Sequence, residues 1–530
     1  MEEEKIFHFP AGEFRKEDFV KLLHEIRHSG KKARIELENA PYFFRQSDSF
    51  PVFQPVSNTL KYDGKLHIRH VGLLLEGIND LTINGNGAQF IFDGEMTPVA
   101  LLDCSHVTLQ NFSVDFLRRR VSEMTLLSVQ GNTMTFQVHQ ESPYRIRQGE
   151  FFFTAPSGRE EKAPLWQLTQ IALPEEGLSN RTDRDPVREA VSCRDLGENR
   201  VEFTYRDLVD PLYVPGQVWQ FRNPERNEVG ILLHHCKNLS LHRLHLKFTP
   251  GLGVIAQLCE NISITEHSHA PDPAKGLVCS AFADCIHFSA CRGSLQIRES
   301  FFSGSQDDPI NIHGVYLQWV SVSGNVLKVR FPHPETWGFL PFEEGDRIAA
   351  VDKASLQKKE YNHIRKAQLL NDLEILLTLE KPFTENFVPE ETVIENLSAY
   401  GDVLICNNHF TAYPTRGVLI SSAGKCVVRN NLFHHKSVNR VALLVAADAS
   451  SWYESGAVQD LTIEENIFEE CCTPSVAFRP ENTVESMVHS GVRIRNNRFE
   501  NCSKPFLEYR SSCIEHDLSE DCILCKDTFS

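Results

Sequence analysis

Asp284, in ADCIHF, and the Asp307-Asp308 pair, in SQDDPINIHG, have the residue types and spacing for acid/base chemistry. Asp284 and Asp307 lie 23 residues apart, an interval that recurs between look-alike apolar strands elsewhere and reads as one turn of a coiled array. On that reading the carboxylates leave neighbouring rungs, about 4.8 Å apart, and meet across a single sugar linkage. Crowded carboxylates repel, so at least one should keep its proton near neutral pH, which supplies an acid beside a base. An Asp before Pro309 alone would commonly make only a turn. Here Asn311 and His313 follow at alternating positions, and His287 and His313 flank the carboxylates as expected hydrogen-bond donors.

Other residues are candidates for gripping a sugar. Trp337, and Trp452 with Glu454 in WYESG, would stack an apolar sugar face while charged neighbours take its hydroxyls. The alternative for the tryptophans is packing between domains. Arg416, in PTRGVLIS, and Asp448 stand at loop-to-strand junctions where a hydroxyl contact or a structural hydrogen bond would serve equally. The pairs His234-His235 and His434-His435 read as rung or turn residues.

The elements that must position these groups are legible as repeats. LLLEGINDLTINGNGAQFIF from Leu73, VTLQNFSVDF, NLSLHRLHL, NISITEHS and SLQIRESFF are short strands of period two separated by Gly and Asn turns. VLICNNHF, VVRNNLF, LTIEENIF and VRIRNNRF align Asn408, Asn431, Asn466 and Asn497, each followed two residues on by Phe410, Phe433, Phe468 and Phe499. Stacked Asn can hydrogen-bond along a ladder and stacked Phe can fill the interior between rungs, the pattern of a parallel β-helix. Phe19, Leu22, Leu23 and Ile26 at helical spacing, stopped by Gly30, predict one short N-terminal helix capping the array. Two interruptions resemble each other, opening with SVQGN at 128 and SVSGN at 321, and read as small antiparallel β-barrels inserted between rungs. The expected organisation is all-β: 1–116 as the first part of the β-helix with its capping helix, 117–230 as the first barrel, 231–314 as central rungs with the carboxylates, 315–400 as the second barrel and 401–530 as the last rungs.

Composition narrows the partners. Over 530 residues the formal charge is -17, which argues against nucleic acid, and no apolar run reaches the length of a membrane span. Met1 is followed by Glu2, Glu3 and Glu4, so the chain as written is expected in the cytoplasm, or outside it or in the periplasm if a leader has been trimmed. The 15 cysteines lack metal-type spacing apart from Cys522 and Cys525, and read as buried free thiols.

QDDPINIHGVYLQ, HPETWGF, DLTINGNGAQFIFDG and LLVAADASSWYESGAVQDLTIEENIF together resemble glycoside hydrolase family 110, the exo-acting α-1,3-galactosidases, over nearly the whole chain. The resemblance implies a right-handed parallel β-helix with barrel insertions and hydrolysis with neither metal nor cofactor. It also implies inversion at the anomeric carbon, a galactose-terminated glycan of blood-group B or linear α-galactosyl type as substrate, and a homodimer. Asp284, Asp307 and Asp308 take the carboxylate positions of the family motifs, and Glu335, where the family pattern carries Gln, joins the substrate-binding set. The rival readings are a polygalacturonase-like hydrolase, a pectate-lyase-like enzyme holding Ca²⁺, and a non-enzymatic glycan-binding β-helix.

Overall fold

A computed structural model of the chain describes residues 4–155, 158–161, 169–173, 176–222, 225–434, 436, 441–472, 474–518 and 523–526. His435 and Cys522, singled out above, lie outside them. The chain coils into a parallel β-helix whose strands pair in register from rung to rung on each wall. One wall runs through Thr97–Leu102, Val229–His234, Leu252–Gln257, Ile286–Ser289, the start of Ile310–Ser323, Val418–Ser421 and Leu443–Val445. Its alternate residues Ile286, Phe288, Ile310 and Ile312 enter the apolar core.

The corners need a left-handed residue, and Asn, which tolerates that conformation, supplies many of them, with φ of 58° at Asn407, 53° at Asn430 and 56° at Asn496. The next residue in each case carries the ladder. Asn408, Asn431 and Asn466 donate backbone N–H at 3.0 Å to the side-chain oxygen of the Asn one rung on, ending at Asn497. Inside, Phe410, Phe433, Phe468 and Phe499 stack with centroids 4.8 to 5.0 Å apart.

The coil begins earlier than the repeats indicate. Lys5–Phe9 pairs parallel with Ala33–Leu37, which pairs with Asn79–Asp93, so Lys16–Ser29, the α-helix, falls between the first two rungs. It buries Phe19, Leu23 and Ile26, and Gly30 ends it at φ 59°. The 13 cysteines whose side chains are described are all free, and among the described residues no helix is long and apolar enough to cross a membrane.

The first insertion is a seven-stranded antiparallel sheet, with a three-stranded sheet packed onto the same core of Met124, Phe136, Phe151, Phe203, Trp219 and Phe221. It hands the chain back to the wall at Val229. The second needs no linker, because Ile310–Ser323 runs straight from the wall into a closed barrel. That strand pairs with Val326–Arg330 on one side and Thr392–Asn396 on the other, and Glu374–Leu379, Lys358–Leu369 and Arg347–Asp352 close the ring. At the junction Gly314 and Val315 pair antiparallel with Ser455 and Glu454, which brings the WYES loop over the wall.

Candidate active site

Ile286 pairs with Ile310 and Ile310 with Val418, so Asp284, Asp308 and Arg416 occupy one turn position on three consecutive rungs. The register is thus 24 residues, not the 23 expected, and Asp284 stacks with Asp308 rather than Asp307. Successive side chains point opposite ways along extended chain, so this one-residue difference decides direction. Asp307 is left to face the first insertion, where Arg181 Nη2 meets its Oδ2 at 3.0 Å.

The column is closed by its own backbone. Asp308 N donates to Asp284 Oδ1 at 3.3 Å, and Arg416 N donates to Asp308 Oδ1 at 3.0 Å while Arg416 Nη2 reaches Asp308 Oδ2 at 2.6 Å. Asp284 and Asp308 are 5% and 1% exposed, which removes the water that would stabilise their charges. Burial pushes Asp284 up to about 7, with the charges of Asp307 and Glu454 adding and Arg226 and Arg416 opposing. Burial likewise pushes Asp308 up to about 7, against Arg416 and with Asp307 and Asp284. Burial would raise Asp307 too, but Arg181, Arg416, Arg226 and Arg222 outweigh it and hold this carboxyl well below the usual range. Asp284 and Asp308 therefore compete for a proton. The direct guanidinium contact makes Asp308 the better anion, which leaves the proton on Asp284.

Other candidates gather around this column. His287, His313 and Asn311 share the outward face of the wall, and the Oδ1 of Asn311 is buried with no hydrogen-bond partner. Glu454 Oε1 accepts from Asn58 Nδ2 at 2.8 Å and lies 3.6 Å from His313 Nε2. Glu335 Oε2 meets Arg226 Nη2 at 2.8 Å, Arg226 lies 5.5 Å above the Trp452 ring, and His333 packs 4.4 Å from that ring. Asp448 touches none of the carboxylates. It accepts the backbone N–H groups of Ser450, Ser451 and Trp452 at 2.7, 2.8 and 2.6 Å, and so shapes the loop that presents Trp452.

Trp337 is a correction. It is buried in the barrel core and only 4% exposed, its Nε1 donates to Leu60 O at 2.8 Å, and it meets Tyr62 edge-on, so it ties the barrel to the 60–62 segment rather than standing open as a sugar platform. Sequence reading missed Asn58, Arg181, Arg222, Arg226 and His333. They come from distant segments, although FRNPERNEVG, two arginines just before a wall strand, held a local signal.

Among the described residues, only Asp284, Asp307 and Asp308 bring three potential metal-binding side chains together, with one oxygen of each within 4.8 Å of the others. The guanidinia of Arg181 and Arg416 already pair with Asp307 and Asp308, which offsets much of the charge that would draw a cation. A cavity of about 760 Å³ between Leu178, Ser179, His245, Lys247 and Phe301 is largely apolar, and none of the candidate residues lines it.

Residues 326–393 match the family model described as GLAA-B beta-barrel domain II, which falls on the closed barrel. The chain is 32% identical to an alpha-1,3-galactosidase A of Bacteroides thetaiotaomicron over 91% of its own length and 83% of that protein. It is 30% identical to an alpha-1,3-galactosidase B of the same organism over 83% and 73%. Among solved structures, an exopolygalacturonase of Yersinia enterocolitica aligns with 99% of this chain and 79% of that one, at a TM-score of 0.36 and 11% identity, too loose a likeness to bear on function.

Proposed function

We propose, from the premise that this chain belongs to glycoside hydrolase family 110, the α-1,3-galactosidases, that it removes terminal α-1,3-linked galactose from glycans by acid/base catalysis at Asp284, Asp307 and Asp308. Galactosidase activity comes with the family. The observation that carries the site is the carboxyl trio itself: one oxygen each of Asp284, Asp307 and Asp308 within 4.8 Å of one another, with Asp284 and Asp308 buried and their pKa values pushed up while arginines hold Asp307 ionised. A protonated carboxyl can give its proton to the glycosidic oxygen while a carboxylate draws one from water. Trp452 offers an exposed ring for the sugar's apolar face. Asn311 Oδ1 and Arg416 Nε, both buried without partners, are polar groups available to hydroxyls.

We further propose that the reaction inverts and that blood-group B or linear α-galactosyl glycans are the substrates, both from the motif resemblance. Inversion sets a geometric condition. Inverting pairs stand about 6.5 to 9.5 Å apart to admit water, wider than the closest oxygens here. Water must then approach from beside the trio. An α-linked substrate should release β-galactose first, seen by proton NMR before mutarotation, and initial α-galactose would overturn inversion. A panel of α-1,3-, α-1,4- and α-1,6-linked galactosides tests the linkage, and preferential hydrolysis of melibiose would sink it.

One observation favours a second reading. Four guanidinia surround the trio, as a uronate-gripping enzyme would require. All four are already engaged: Arg181 with Asp307, Arg416 with Asp308, Arg226 with Glu335, and Arg222 with the Phe282 carbonyl. Activity on polygalacturonate would restore that reading.

A further inference from the structure

Three contacts run outward from Asp284 in a line. Asp284 Oδ2 lies 2.8 Å from His287 Nδ1, His287 Nε2 lies 2.8 Å from His313 Nε2, and His313 Nδ1 lies 2.6 Å from Gly314 O. Proton accounting along this line is restrictive. A carbonyl oxygen has no proton to give, so His313 Nδ1 carries one. Each of the other two contacts needs one proton on one of its two atoms. His287 is fully buried, which disfavours its doubly protonated cation and pushes its pKa down to about 3, with His313 adding.

Two arrangements satisfy all three contacts. In the first, Asp284 is a neutral acid donating to His287 Nδ1, and His287 Nε2–H donates to His313. In the second, His287 Nδ1–H donates to an Asp284 carboxylate, and an imidazolium at His313 donates to His287 Nε2. We propose that His287 and His313 form a proton relay that exchanges these two states and so sets the charge of Asp284, an inference that rests on the acid/base reading above. In the exchange the Asp284 O–H and His287 Nε2–H bonds break while His287 Nδ1–H and His313 Nε2–H bonds form. No proton enters or leaves the site. The Glu454 carboxylate, 3.6 Å from His313 Nε2, balances the imidazolium.

The charged groups facing this line come from every neighbouring element. Asp307, Asp308 and Arg416 stand in the adjoining turns, Arg226 precedes the wall, and Glu454 lies in the WYES strand. With one proton fewer, two lone pairs must oppose each other across one of the contacts, so Asp284 surrenders its proton to solvent reluctantly. The two histidines are positioning residues, since they act through Asp284.

The test is the pH dependence of kcat/KM. An amide at position 287 can donate N–H to an ionised Asp284 without opposed lone pairs. His287→Gln should therefore move the Asp284 limb down by about one pH unit and change KM less than about twofold. His313→Leu frees His287 to hold its proton on Nδ1 and should move the limb the same way. A limb unmoved in both variants, with activity lowered uniformly, would overturn the relay. In the unaltered enzyme, ¹⁵N-labelled histidine spectra should show the ring nitrogens of His287 and His313 changing protonation together, and a proton on His287 Nδ1 while His313 Nε2 stays bare would equally overturn the relay. Asp284→Asn separates the two failures. Full activity there would sink the acid/base reading and the relay with it, whereas an inactive variant beside an unmoved limb sinks the relay alone.

Discussion

Asp284 and Asp308 share a turn position and a burial, yet the partners of their side chains set them apart, and substitution should expose the difference. Replacing any of Asp284, Asp307 or Asp308 with Asn should lower kcat on the order of 10²-fold or more, the size of an acid/base contribution, and at least two of the three should behave so with the fold intact by circular dichroism. Stability should divide them differently. Both carboxyls have native pKa values raised to about 7, so the native state binds more protons than the unfolded chain between the ordinary carboxylate range and neutrality, and stability falls as pH rises across that window and levels off above it. Asp284→Asn removes that cost, so its gain in melting temperature over the parent should be larger at pH 8 than at pH 5. Asp308→Asn instead strands the Arg416 guanidinium and should melt lower at both. The acid trio was legible because carboxylates at a repeat interval are conspicuous. The arginines that hold Asp307 ionised were not, since Arg181 reaches it across 126 residues of chain and no local pattern marks such a partner.

At the scale of the element, the rungs bearing the clearest repeats are those whose corners are locked by side chains. Asn466 is fully buried, and its side chain accepts from Asn431 N and Nδ2 while donating to Val428 O and Asn497 Oδ1 at 2.9 to 3.0 Å. Asn466→Ala leaves those groups without partners and should cost about 3 kcal/mol, since each stranded buried group costs roughly 1 to 3. The loss should appear as a lower urea midpoint and earlier proteolysis of the last rungs, because a repeat array is held rung by rung. Sequence reading assigns 1–116 to the β-helix but marks repeats only from Leu73, for the complementary reason: KIFHF and ARIEL alternate like any strand and carry no Asn corner or stacked Phe. Their placement depends on pairing, which the pattern alone does not encode. A closer approach governs the turn that carries Asp284. Gly253 N donates to Asp284 O at 2.7 Å, and a Cβ at Gly253 would fall 2.2 Å from Cys285 O and 2.3 Å from His269 Cε1. Gly253→Ala must shift the turn that carries Asp284. A displacement near 1 Å costs about 10²-fold in rate, and a loss of that order in kcat is the expected result.

Across the whole molecule, the β-helix supplies the carboxylates and the insertions supply what encloses them. Arg226 arrives on the return from the first insertion, His333 and Glu335 on the second barrel, and Trp452 on a loop between later rungs. Their meeting place follows from one topological fact: the strand Ile310–Ser323 is both wall and barrel, so the barrel cannot swing away from the column that starts it. The sequence leaves both tryptophans open between a sugar platform and packing between domains, and only the fold separates them: Trp337 is buried in the barrel core while Trp452 stays 41% exposed above the site. That division supports a final prediction about binding rather than chemistry. Trp452→Ala removes an aromatic face worth about 0.5 to 1.5 kcal/mol, so KM should rise up to about tenfold with kcat changed less. Glu335→Gln leaves Arg226 buried beside Trp452 without its carboxylate, and the freed guanidinium should turn toward Asp307 and Asp284, whose charges already act on it. Both variants should weaken binding, but only Glu335→Gln should also shift the pH profile downward, because a cation drawn closer to Asp284 favours its ionised form. Equal profiles in the two variants would show that the ion pair acts on the sugar alone and not on the carboxylates beneath it.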